Sequence, residues 1–143
     1  MRARTLMIWG GLGMASFIGA AEGRSPTECM TQWSRAVRSY LTQNRTAMPD
    51  GTAPDDLDGE ERAAQAWIQA FAPACRLEQE GRSQAARVEA AAIGVEILAR
   101  LDPRGCRTFL SAFMESSRPE DICAAAGGDS DLRGQIQASI PPR

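Results

Sequence analysis

The sequence predicts an all-α fold: a small orthogonal or up-down bundle of four to five helices stapled by two disulfides. Three observations lead there. Apolar residues recur at helical spacing through most of the chain after Arg24. No alternating apolar/polar stretch and no Val/Ile/Thr-rich run lies between turn signals, so no strand is expected. Four cysteines, Cys29, Cys75, Cys106 and Cys123, follow a stretch that reads as an export signal.

The export signal opens with Arg2 and Arg4 and continues through the uncharged run Thr5 to Ala21. Gly19-Ala20-Ala21 places small residues at a cleavage site, so residues 1–21 are expected to be a signal peptide. Its uncharged run sits at the short end of the membrane-spanning range and carries four glycines. Cleavage is therefore favoured over anchoring, with no stable membrane insertion afterwards. The expected organisation is a single helical domain over 22–126 and a flexible C-terminal tail over 127–143.

Helix one is expected from Pro26 to about Ala47. Ser25 fits its N-cap, Pro26 its first position, and Glu28 completes a capping box. Cys29, Trp33, Ala36, Val37, Tyr40 and Leu41 share one face, and Arg35 and Arg38 fall mostly off it. Met48 to Gly59 reads as a loop. Its acids suggest calcium, but in an EF-hand register starting at Asp50, Pro54 takes a ligand position and Asp55 replaces the required glycine. The simpler account makes Asp58 the N-cap of helix two, with Glu61 as capping-box partner.

Helix two is expected from Gly59 to about Leu77, with Pro73 kinking it or ending it near Ala72. Gly81 reads as a stop and Ser83 as the next N-cap. Helix three, Gln84 to Leu101, is apolar over a wide arc and Ala-rich, which marks it as central. Asp102-Pro103-Arg104-Gly105 reads as a turn. Helix four, Cys106 to Ser116, carries Phe109, Leu110, Phe113 and Met114 along one edge. Helix five runs from Pro119 to Ala126, with Gly127-Gly128 as its stop. Leu132, Ile136 and Ile140 add a weak amphipathic pattern to a polar, frayed end.

Four cysteines allow three pairings. Helix geometry favours one of them. In an antiparallel hairpin of helices one and two, Cys29 and Cys75 both lie about 25 Å from the turn at about 1.5 Å per residue. A Cys29–Cys75 bridge would tie the open end and leave Cys106–Cys123 as a local bridge. A metal site is disfavoured, because the chain has no Cys-x-x-Cys pair and no His.

Composition removes several chemistries. Without His there is no Ser-His-Asp or Cys-His nucleophile pair, and without Lys no Schiff base or P-loop lysine. The net charge of −2 argues against a nucleic-acid partner, and loss of Arg2 and Arg4 would make the chain more acidic. The paired acids lack an aromatic platform of the kind a glycosidase uses. No catalytic residue, metal or cofactor is expected.

Trp33, Tyr40, Trp67 and Phe71 are the candidate groove residues. They are seven apart on helix one and four apart on helix two, and would face one another in the hairpin. In outline the chain resembles four-cysteine odorant-binding-like carriers and small periplasmic acid-stress chaperones, without a shared motif. The expected function is that of an exported, periplasmic or secreted, non-enzymatic protein that binds a protein partner. The alternatives are a carrier of a small apolar ligand or a periplasmic chaperone.

Overall fold

The structure, a computed structural model, describes residues 24–45, 47–53, 57–128 and 131–142. The expected signal peptide and the loop residues Pro54, Asp55 and Asp56 lie outside them. The described residues form seven helices: α1 (Pro26–Arg38), α2 (Leu57–Ala70), α3 (Ala72–Gln79), α4 (Ser83–Leu101), α5 (Pro103–Thr108), α6 (Pro119–Ala125) and α7 (Leu132–Ser139). A five-residue π-helical turn, Phe109–Phe113, extends α5. No strand occurs among the described residues, and none of their helices is long and apolar enough to cross a membrane.

α1 starts as its sequence dictates. Ser25 Oγ accepts from the Glu28 N–H at 3.1 Å, and the Glu28 carboxylate accepts from the Ser25 N–H at 2.8 Å. It stops well short of the expected end near Ala47. The reason is Asp102. Its Oδ2 accepts from the Thr42 N–H at 2.6 Å, the Thr42 hydroxyl at 2.7 Å and the Gln43 N–H at 3.0 Å. Those amides are withdrawn from any helical ladder, and Asn44 then turns the chain at φ 54°.

The long second helix divides in two. Phe71 is the break, and Pro73 falls in the first turn of α3, where a missing N–H costs nothing. α2 begins two residues earlier than expected, so Asp58 stands inside its first turn rather than capping it. Ser83 likewise is the first residue of α4; the cap position belongs to Arg82, whose side chain makes no capping bond. Asp102 also caps α5, accepting from the Gly105 N–H at 3.1 Å, so the expected turn 102–105 is a helix start.

α4 lies at the centre, against α1, α3, α5, α6 and α7. Ala90, Ala91 and Ala92 are completely buried, and their small side chains let neighbours approach from several sides. Larger side chains from around it close the core: Trp67, Phe71, Phe109, Leu110, Ile122 and Ile136 are fully buried.

Both disulfides form as the helix geometry favoured. Cys29–Cys75 joins α1 to α3 with Cα atoms 5.8 Å apart, and Cys106–Cys123 joins α5 to α6 at 6.1 Å. Two closed bridges point to maturation in an oxidising compartment.

The expected flexible tail is corrected. Asp131 caps α7 through the Gly134 N–H, and Leu132, Ile136 and Ile140 are buried against the core. The Ser116 hydroxyl donates to the Ser139 hydroxyl at 2.8 Å, and the Ser117 N–H donates to the Ser139 carbonyl at 2.9 Å. A paired fork of bonds from Arg133 to Glu89 holds the exposed side at 2.7 and 2.8 Å. An amphipathic turn that looks weak in isolation is stabilised by the apolar surface it covers.

Candidate functional site

The site is an aromatic shelf beside an open cleft, and α5 builds it. The Met114 N–H donates to the Phe109 carbonyl, five residues back, at 3.0 Å. This wide turn stacks the rings of Phe109 and Phe113, with centroids 5.7 Å apart and planes 17° apart. Such turns occur often at functional sites in other proteins.

The two rings have opposite fates. Phe109 is fully buried, and Phe113 is 40% exposed, the large apolar side chain most open to water among the described residues. Gly94 on α4 makes room for the inner ring. A Cβ there would stand 3.0 Å from both Phe109 Cε2 and Val37 Cγ2. The outer ring is held edge-on by Trp33 at 6.0 Å and by Tyr40 at 6.2 Å, and Tyr40 also meets Phe109 at 5.7 Å. Edge-to-face pairs at these separations are favourable beyond the area they bury.

A cleft of about 580 Å³ opens beside the shelf, with Trp33, Phe113, Met114 and Ala86 as its apolar surface and Arg24, Glu78 and Arg87 among its polar lining. Arg24 donates to Glu78 through Nε at 2.6 Å and through Nη2 at 2.5 Å, and it also bonds Gln32. The hydrogen bonds that Arg24 donates to Glu78 raise its pKa above the usual value, so the guanidinium stays charged. Arg87 donates to the Pro141 carbonyl at 3.1 Å and so ties the cleft to the segment after α7. The result is an apolar floor with a polar, fixed rim.

The four aromatic residues named from the sequence do not share this groove. Trp33 lines it, and Tyr40 supports the shelf from beside it, against Phe109 and Phe113. Trp67 and Phe71 are completely buried in the core instead. The Trp67 Nε1–H donates to the Ala47 carbonyl at 3.0 Å, and the residue that covers its ring is Arg38, at 5.5 Å from the centroid. The partner of the α1 aromatics is the Phe109–Phe113 pair. Its i, i+4 spacing is legible in the sequence, but the exposure of one ring is not.

The strongest carboxylate perturbation lies elsewhere and is structural. Burial pushes the Asp102 pKa up, but hydrogen bonds from the Thr42 hydroxyl and from the Gly105, Thr42 and Gln43 N–H groups outweigh it and hold the pKa down to about 2. All of these donors belong to helix ends and loops, so the carboxylate is committed to capping. All four cysteines are paired, and no group of three potential ligands is placed to hold a metal among the described residues. Comparison with protein-family models, with curated proteins and with solved structures finds no match to this chain, so its functional reading rests on the groove's geometry.

Proposed function

We propose that the protein is an exported, non-enzymatic helical scaffold that binds a protein partner in the periplasm or extracellular space. The observation that carries this reading is Phe113, a large aromatic ring kept half in water on a rigid support. Burying such a ring in a partner would yield more than burying a polar surface, and aromatic side chains dominate the energetics of interfaces. Trp33 and Tyr40 hold it in place, so little side-chain freedom is lost on binding.

Export is supported by the two disulfides and by the leader-like residues 1–21. A carrier of an apolar ligand would call for an enclosed pocket of about 300 Å³ or more. The cleft beside Phe113 exceeds that volume but is only partly enclosed, which favours a partner's side chains over an engulfed small molecule.

The test is affinity capture from the native compartment with the wild-type protein and with Phe113→Asp. A partner is expected with the wild type and is lost with the variant, while the helical circular dichroism of both is the same. Equal capture by the two proteins overturns the role of the shelf.

A further inference from the structure

A second groove lies on the other side of α1. Thr31, Ser34, Arg35 and Arg38 are spaced i, i+3, i+4 and i+7, which puts them on one face of the helix. Trp33 and Tyr40, also seven apart, point to a different face, toward the aromatic shelf. Ala64 and Ile68 of α2 complete this second groove, whose volume is about 390 Å³.

Three features distinguish it from an ordinary solvated face. The first is the Ser34 side chain. The residue is only 3% exposed and lines the groove, yet its hydroxyl makes no hydrogen bond among the described residues. A buried hydroxyl without a partner is uncommon in a native protein, and this one has its hydrogen-bonding capacity free for a molecule in the groove. The second is charge. Arg35 and Arg38 line the groove together, and neither forms an ion pair with an acid among the described residues. By contrast, Arg24 and Arg133 each grip a carboxylate. The third is order. The Arg38 guanidinium is laid against the buried Trp67 ring, so it is held before any ligand arrives.

We propose that this groove binds a small aliphatic carboxylate, with the carboxylate between Arg35, Arg38 and the Ser34 hydroxyl and the alkyl chain along Ala64 and Ile68. Guanidinium groups match the planar carboxylate through paired N–H donors, and the buried hydroxyl adds a second kind of donor. The apolar floor favours an acid with a hydrocarbon chain over a bare inorganic anion. The groove is open, so the affinity is modest. This site stands apart from the aromatic shelf and does not depend on the partner-binding reading.

The test is titration of the protein with sodium octanoate, observed through the indole N–H resonance of Trp67, which is identified by its loss in Trp67→Phe. Octanoate is expected to shift that resonance saturably, with a dissociation constant of about 1 mM or below. Octanol and inorganic phosphate, each lacking one half of the chemistry, are expected to bind at least about tenfold more weakly. Arg35→Gln and Arg38→Gln should each weaken octanoate by about tenfold, whereas Arg107→Gln, an exposed residue of α5, leaves it unchanged. Arg35 is exposed, so its variant keeps the test sound even where Arg38→Gln disturbs the packing on Trp67. No saturable shift, equal binding of octanol, or full affinity in Arg35→Gln overturns the proposal.

Discussion

Asp102 accepts two hydrogen bonds from Thr42, one from its backbone N–H at 2.6 Å and one from its hydroxyl at 2.7 Å. The same carboxylate caps α5 through Gly105. One buried side chain thus ends α1, starts α5 and fixes the loop between α1 and α2. Asp102→Ala removes every one of these acceptors and leaves the buried Gly105 N–H and the part-buried Thr42 and Gln43 N–H groups without them. The expected loss of stability is about 3 kcal/mol, measured by urea unfolding. A loss under about 1 kcal/mol would show that the capping account is wrong.

The same residue sets an acid limit. Its folded pKa of about 2 lies below the unfolded value of about 3.9, so the stabilisation is fully present above the unfolded value and disappears as pH falls toward 2. The amount is about 2 kcal/mol. Glu89 shares the direction, because the hydrogen bond from Arg133 lowers its pKa. Comparing Asp102→Asn with the wild type isolates the Asp102 part. The variant should be less stable at pH 7, and the gap should narrow by about 2 kcal/mol as pH falls toward 2. A gap that is constant with pH contradicts the assignment.

Gly94 is expected to reject even a methyl group. Alanine there gains about 1 kcal/mol of helix propensity but meets Phe109 and Val37 at 3.0 Å, and both of those residues are fully buried and have little room to yield. Overpacking of this kind costs about 1–3 kcal/mol, so the net change should be destabilising. Near-ultraviolet circular dichroism should also change, because Phe109 moves against Tyr40. A more stable Gly94→Ala protein would refute the packing described.

The two bridges should differ in worth. Cys29–Cys75 spans 46 residues of sequence and Cys106–Cys123 spans 17. On the chain-entropy account both contribute about 3–4 kcal/mol, the longer loop about 1 kcal/mol more. Paired Cys→Ser variants of each bridge, compared by urea unfolding, give the order. Mass analysis should show no alkylation before reduction and four modified cysteines after it.

Ile136→Ala tests the folded C-terminus. Ile136 is completely buried, so truncation should cost about 2–5 kcal/mol. A cost within about 0.5 kcal/mol would restore the picture of a loose tail.

Much of the fold was legible because local rules acted without competition. The Ser25-Pro26-Glu28 start, the break near Pro73 and the wide apolar arc of α4 follow from spacing and caps; the favoured cysteine pairing is the one found, although the equal helical arms behind it are not, because α1 ends at Arg38 and Cys75 lies on the separate α3. What was missed depends on contacts far apart in sequence. Nothing local says that Asp102 reaches Thr42, 60 residues away, so periodicity alone carries α1 past its true end at Arg38. Nor does the polar sequence around Leu132, Ile136 and Ile140 show that α4 offers them an apolar surface. The candidate groove was half legible. Trp33 and Tyr40 share a face by periodicity, but the spacing points to helix two as their partner, because the wide turn at Phe109–Phe113 has no local signature.

That wide turn has an evolutionary corollary. A ladder closing over five residues holds one more than a ladder closing over four. The shelf therefore hangs on a single surplus position in the chain. Descendants that drop it could keep the bundle, both crosslinks and every cap, while Phe113 rotates away from Trp33. The architecture would be inherited intact, and the aromatic shelf would be gained or shed by one codon.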